Sequence, residues 1–349
     1  MLKEMTASCP GRICLAGEDL DWTTGPSILA AIGLRAEAAV CRREKPRHLG
    51  LSTGAPYSRR KLVAIDALDH NDPTEAFSHI RAAAAVFRRT TGLRLDGLNV
   101  AVRSTVPPGA GLSSSAAVVV SVVAALNEVF CRPLDNHQVI EAAFATEMEQ
   151  LGTGAGQMDF YGCALGGVQY LDCTADPPAV IEQLAMPANS ELIIVDTLTK
   201  RRTKDVIATK RLRWAAHEPD MLTYVDETTA LVAEMRHLLA GSRPAPYRLG
   251  ELFTACQSLL RDRLHVSTDL IDETVQRSLS RGAYGAKLTG TGAGGCVIVL
   301  ADPDGADGIV IALRDLPVAI HRTLIDDDGL VVSSAEGCDA ARQARGTRR

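Results

Sequence analysis

The stretch Val106-Pro107-Pro108-Gly109-Ala110-Gly111-Leu112-Ser113-Ser114-Ser115-Ala116-Ala117 constrains the fold more than any other part of the chain. Leu98, Val100 and Val102 alternate as a strand that leads into it, and Ala116 to Leu126 is an apolar run long enough for a buried helix. Gly109 and Gly111 allow close backbone approach between the two. A strand, a glycine turn and a serine-opened helix admit two readings: a capped turn ahead of a core helix, or a cradle for phosphate. In the second, the backbone from Gly109 to Ser114 offers its amides and the positive end of the helix dipole to an anion. The segment lacks the lysine of the G-x-x-x-x-G-K-[ST] loop, and no basic side chain lies between Arg103 and Arg132. Charge neutralisation must therefore come from a metal, the dipole or a distant cation.

Other segments have the same double character. Pro10-Gly11-Arg12-Ile13-Cys14-Leu15-Ala16-Gly17-Glu18-Asp19-Leu20-Asp21-Trp22 ends a strand-like run in three carboxylates. Glu18, Asp19 and Asp21 read as a solvated acidic turn or as acceptors for a polyhydroxylated ligand. Glu147 sits on a helical pattern of Val139, Ile140, Phe144 and Met148 that runs to about Gln150. Asp159 closes Gly152-Thr153-Gly154-Ala155-Gly156-Gln157-Met158-Asp159, where an ordinary helix cap is the plain reading. Gly290, Gly292, Gly294 and Gly295 fall between Lys287 and Cys296, a density costly in chain entropy unless close backbone approach demands it. Lys200, Arg201, Arg202, Lys204, Lys210, Arg211 and Arg213 form the most basic stretch: a solvated helix face, or a segment covering a ligand or holding its anionic substituent.

Strands are expected at 27–32, 35–42, 168–171, 192–196, 297–300, 318–324 and 329–334, with helices from Asp72-Pro73 to Gly92, and near 219–240, 247–263, 268–281 and 304–315. That mixture is an α+β chain in two parts, 1–185 and 186–339, with Val168 to Leu171 the last strand of the first. Residues 340–349 form a basic polar tail expected to be disordered. With 46% hydrophobic but 4% aromatic residues, the 349-residue chain must build its cores from Ala, Val, Leu and Ile. A formal charge of −5 and a pI near 5.9 argue against nucleic acid as a partner. The longest apolar run falls short of the ~18 residues of a membrane span. Nine cysteines show no C-x-x-C pair and read as reduced thiols of a cytoplasmic protein. The eight histidines lie outside every segment singled out, against a zinc or histidine-based hydrolytic site.

Taken together, these segments resemble the three motifs of the GHMP small-molecule kinases, the family of galactokinase, homoserine kinase, mevalonate kinase and phosphomevalonate kinase. The Pro10–Trp22 segment is similar to the galactokinase signature that grips sugar hydroxyls, with Asp19 where those enzymes have histidine and Trp22 where they usually have tyrosine. The resemblance implies an N-terminal domain like domain 2 of ribosomal protein S5 and a ferredoxin-like C-terminal domain. It implies ATP and Mg2+ as cofactors, with Ser115 and Glu147 as metal ligands and Pro108 through Ser115 on the phosphates. Asp159 and Arg12 would be catalytic; Glu18, Asp19, Asp21 and Gly156 would hold the substrate, and the 290–295 glycines would support the phosphate loop. The implied reaction is phosphorylation of a sugar or sugar derivative, at the anomeric hydroxyl in the galactokinase-like case, by a monomer or homodimer. An acyclic alcohol of the mevalonate or homoserine type, or a sensor that binds without transfer, are the alternatives.

Overall fold

The computed structural model describes residues 4–42, 47–54, 58–70, 72–175, 177–199 and 203–334. Lys200, Arg201, Arg202 and the tail 340–349 lie outside the described residues.

The first sheet is organised on one long strand. β1 (Met5–Ala16) runs antiparallel along β2 (Pro26–Arg42), and the two ends of β2 pair with different partners. After β3 (His48–Thr53) and β4 (Arg60–Ala64), the strand β5 (Leu98–Ser104) pairs with one end of β2. β6 (Val168–Asp172) pairs with the other end and carries β7 (Ala179–Leu184). The two strands expected at 27–32 and 35–42 are one. A bulge explains this: Pro10 faces Arg35 while the next residue, Gly11, faces Ile32, so Gly33 and Leu34 are stepped over without a turn.

Of helices α1 (Ser78–Thr91), α2 (Ser114–Val129), α3 (Asn136–Ala145) and α4 (Met158–Leu165), α2 and α4 pack on β1 and β2 of this sheet, and α1 and α3 pack on α2. α1 begins later than Asp72-Pro73, because the Asp72 carboxylate accepts the Thr74 amide at 2.9 Å and makes a turn there. It ends as expected on Gly92, in the left-handed region at φ 70°. α2 follows the Ser113 position with almost every side chain buried, as its unbroken apolar run requires.

The second sheet is built from β8 (Glu191–Asp196), β9 (Gly285–Thr289), β10 (Cys296–Ala301) and β11 (Ala319–Thr323). Between β8 and β9 come α5 (Thr203–Ala215), α6 (Pro219–Leu239), α7 (Pro246–Asp262) and α8 (Asp269–Ser280); α9 (Ala306–Leu313) precedes β11. The antiparallel order β11-β8-β10-β9 is the ferredoxin-like arrangement. The last described strand, β12 (Val331–Ser334), departs from the sequence reading. It does not complete this half but returns to pair with β1, Met5 opposite Ser334 and Ser8 opposite Val331.

One apolar core runs through both parts, joining Leu29 and Leu126 to Val232, Phe253 and Leu300; a second, around Ile193, Ile271, Val299 and Ile309, lies within the C-terminal part. Each such side chain contributes about 1.5–3 kcal/mol by leaving water. The domains are thus welded along the interface that carries the site. No helix among the described residues is long and apolar enough to cross a membrane.

Candidate active site

The glycine loop is held through its carbonyls. The Arg12 amide donates to the Leu112 carbonyl at 3.1 Å, Arg12 Nη1 donates to the Gly111 carbonyl at 2.8 Å, and Ser114 Oγ donates to the Val106 carbonyl at 3.2 Å. Gly109 and Gly111 have φ of 73° and 85°, and Ser113 itself is left-handed at 54°. Ser113 precedes α2 without capping it: its buried Oγ has no partner among the described residues. The loop borders a cleft of about 530 Å³ through Pro108, Gly109, Gly111, Ser113, Ser114 and Ser115. The side chains of Ala110 and Leu112 are buried and do not line the cleft. Its far walls come from Thr53, Gly54, His79, Ile80 and Val118.

A second cavity, of about 250 Å³, opens beside it. Its walls include Glu18, Asp19, Asp21, Trp22, Glu147 and Gly156, together with Thr203, Lys204 and Ile207 from α5. Arg12, Ser115, Asp159, Thr203 and Thr291 border both spaces. The two cavities therefore meet at the side chains that the sequence pointed to for transfer.

At that meeting point Arg12 Nε donates to Asp159 Oδ1 at 3.0 Å, and Nη2 donates to the same oxygen. Arg12 is buried; burial works against its charge, but Asp159 outweighs that and raises its pKa. Asp159 is not the helix cap. Gln157 holds that position, and Asp159 lies in the first turn of α4, its side chain 23% exposed.

Glu147 arrives by an irregular route. α3 gives way at Ala145 to a π-helical turn, Thr146–Leu151, that ends on left-handed Gly152. Thr153 Oγ1 donates to Glu147 Oε2 at 2.9 Å, while the buried Oε1 has no partner among the described residues. Glu147, with its unengaged carboxylate oxygen, and Ser115 line the same cavity, a donor set that fits a hard cation taking its other ligands from phosphate and water. No cluster of three or more His, Cys, Asp or Glu among the described residues suits a metal held by protein alone.

The acidic segment is not a row of free acceptors. Glu18 pairs with Lys287, and Asp19 pairs with Lys210; all four are buried. Lys287 also donates to the Cys14 carbonyl at 3.1 Å and the Leu288 carbonyl at 2.7 Å, and Glu18 raises its pKa against the opposing effect of burial. Trp22 Nε1 donates to Asp19 Oδ1 at 3.1 Å. Asp21 keeps a buried oxygen open: Oδ2 accepts the Met158 amide at 3.3 Å, while the buried Oδ1 has no partner among the described residues. Burial, followed by the charges of Asp159 and Asp19, pushes its pKa up to about 7. Gly156 is required here, since a Cβ at that position would occupy the space of the Asp21 carboxylate.

Sequence reasoning missed the two lysines. Lys287 carried a signal, as the one charged residue of the otherwise apolar or small β9. Lys210 carried none, lying among other basic residues. The 290–295 glycines divide in role. A Cβ on Gly290 would lie 2.8 Å from the Gly111 carbonyl oxygen, so this residue packs directly on the phosphate loop. Gly292 and Gly294 pack instead on Val266 and Thr199, and the Gly295 carbonyl accepts the Thr197 amide and hydroxyl.

A nucleotide-sized cleft that joins a small acidic pocket at an Arg–Asp pair, on this two-part fold, defines a small-molecule kinase. Residues 78–167 match the GHMP kinases N terminal domain and residues 242–317 match the GHMP kinases C terminal domain. The chain is 29% identical over 338 residues to a mevalonate kinase of Pyrococcus furiosus, covering 94% of this chain and 98% of that protein. It is 27% identical over 339 residues to a galactokinase of Streptomyces coelicolor, covering 88% and 87%. The fold is shared with galactokinase of Lactococcus lactis complexed with galactose, at a TM-score of 0.81 and 18% identity over 95% of each chain. It is also shared with mevalonate kinase of Methanococcus jannaschii, at 0.78 and 19% over 92% of this chain and 98% of that one. The chain belongs to the GHMP kinase family, whose members take their phosphoryl group from ATP. Mevalonate and galactose enzymes are about equally similar to it, so membership leaves the acceptor open.

Proposed function

We propose that this kinase transfers the γ-phosphoryl group of ATP to a hydroxyl of a sugar or sugar derivative. The observation that carries the reading is the open Asp21 Oδ1, buried without a partner in the cavity that adjoins Arg12 and Asp159. A buried acceptor without a donor costs about 1–3 kcal/mol, and a ligand hydroxyl relieves it. Glu18 and Asp19 support this indirectly. Their lysine partners cancel their charges, so the pocket wall suits a neutral polyol.

In the larger cleft, the amides of the 108–115 loop and the start of α2 hold the phosphates. The acceptor hydroxyl stands against Asp159, which takes its proton as the oxygen forms a bond to the γ-phosphorus and the bond to the β-phosphate oxygen breaks. Arg12 holds and aims Asp159, and its charge faces the phosphoryl group in transit. Ser115 and Glu147 would hold magnesium, which when bound neutralises phosphate charge. Most of the rate in such a transfer comes from positioning and charge stabilisation.

A second reading has one observation in its favour. Lys204 borders the acceptor cavity, is exposed, and has no ion-pair partner among the described residues, which suits an acyclic alcohol bearing a carboxylate. ADP release measured across free hexoses, pentoses, uronic acids and amino sugars, with mevalonate and homoserine alongside, separates the two. Phosphorus NMR of the product then locates the ester. Turnover confined to the carboxylate-bearing acyclic alcohols would overturn the sugar assignment, and sugar-stimulated ADP release with sugar phosphate formed would support it. Binding of sugar and ATP with no ADP released would mark a sensor.

A further inference from the structure

We propose that Lys210 is a positioning residue that clasps α5 across the acceptor pocket and thereby governs binding of the acceptor more than binding of the nucleotide. The inference rests on the reading of the 250 Å³ cavity as the acceptor site.

α5 is inverted relative to an ordinary surface helix. Its one buried residue among those described is Lys210, 2% exposed, while Leu212 two positions on is 72% exposed. A helix normally docks by an apolar stripe, worth about 1.5–3 kcal/mol for each fully buried side chain. α5 has only the partly buried Val206 and Trp214 against the C-terminal core, and adds to them a charged plug. The Lys210 ammonium binds the Asp19 carboxylate and donates to the Thr291 carbonyl at 3.0 Å. Asp19 belongs to the N-terminal part of the chain and stands in the left-handed region at φ 68°. Thr291 belongs to the glycine segment that packs on the phosphate loop. One side chain thus ties the helix to both walls of the site.

Neighbouring residues of α5 reach the same walls. Arg211 Nη2 donates to the Gly154 carbonyl at 3.1 Å, and its guanidinium carbon lies 5.5 Å from the centre of the Trp22 ring. Thr203, Lys204 and Ile207, on the turns before Lys210, form the cover of the acceptor cavity. Val206 and Trp214 hold α5 on the C-terminal core, and at its cavity-facing side the closed position depends on the buried ion pair. Such a pair is strongly coupled to its partner, because removal of either member strands a charge.

Lys210→Met and the double variant Lys210→Met/Asp19→Asn test this together. The single variant leaves Asp19 buried and unpaired, so its melting temperature should fall; the double variant removes that charge and should recover most of the loss. The clasp is absent from both. Both should therefore show an acceptor KM raised about tenfold or more, with the KM for ATP changed by less than about threefold. A double variant with recovered stability and wild-type acceptor KM would overturn the proposal, as would equal increases in the two KM values. Hydrogen exchange across 203–215 without any ligand gives a readout independent of acceptor identity. Protection there should fall in both variants, and unchanged protection overturns the clasp even if the acceptor is not a sugar. Failure of the sugar panel with protection lost would overturn the sugar assignment and leave the clasp standing.

Discussion

Arg12 and Asp159 meet side to side across the chain, Nε to Oδ1 at 3.0 Å, while the same guanidinium holds the Gly111 carbonyl at 2.8 Å. One cation therefore fixes the carboxylate where the two cavities meet and the loop that borders the larger cleft. Asp159→Asn retains the shape but loses proton acceptance, and kcat should fall by about 10²–10⁴-fold. ATP binding, followed by calorimetry or by displacement of a fluorescent nucleotide, should stay within about threefold of wild type. Retained turnover in this variant would remove Asp159 from the chemistry.

Glu147→Gln and Ser115→Ala probe the metal. The open Oε1 of Glu147 is the carboxylate atom free to bind a cation, so its loss should move the magnesium concentration for half-maximal rate upward, and Ser115→Ala should do the same less strongly. The readout is a magnesium titration at fixed ATP. Identical titrations for both variants and wild type would mean that the cation is held elsewhere.

Asp21 makes the site sensitive to pH near neutrality. Its pKa of about 7, set by burial and then by Asp159 and Asp19, is above its ordinary 3.8. The fold favours the protonated form, so this residue's contribution to stability is present in acid below the ordinary value and is lost as pH rises through about 7. Binding runs the other way. An ionised Asp21 accepts a ligand hydroxyl, so kcat/KM for the acceptor should rise with pH through about 7. Asp21→Asn should abolish that rise and weaken acceptor binding by about tenfold or more, with little effect on ATP. An unaltered pH profile in Asp21→Asn would assign the ionisation to another group.

Two glycine substitutions should have opposite signs. Gly290 has φ 83° and its added methyl would stand 2.8 Å from the Gly111 oxygen, which Arg12 also engages. Gly290→Ala should destabilise by about 1–2 kcal/mol for the backbone alone and raise the KM for ATP. Gly308 lies within α9 with nothing within 4 Å of an added Cβ. Gly308→Ala should stabilise by about 0.5–1 kcal/mol without kinetic effect. Thermal melts and initial rates on the pair test both statements.

What the sequence disclosed was local. The strand-turn-helix of the glycine loop, the helices near 219–240, 247–263, 268–281 and 304–315 and the glycine that stops α1 each follow from neighbouring residues, and the structure shows them. The partners of Glu18 and Asp19 lie 269 and 191 positions away, and nothing near either carboxylate announces a lysine. The same limit applies to β12. Its short Val-Val-Ser-Ser run fits an edge strand of either sheet, and the choice is made by the exposed side of β1, which only the assembled fold presents. The bulge that fuses two expected strands into β2 is likewise a property of the pairing, since it arises where β1 skips a step.

The return of residues 331–334 to the first strand has a consequence for how the protein is made. During synthesis, the start of β1 waits with unpaired amides until residues 331–334 have left the ribosome. A fragment that stops at residue 185 would carry the loop and its helix yet present that raw margin to other chains. Neither half is therefore a portable cassette, and aggregation on truncation would reflect a missing hem rather than a damaged catalytic centre.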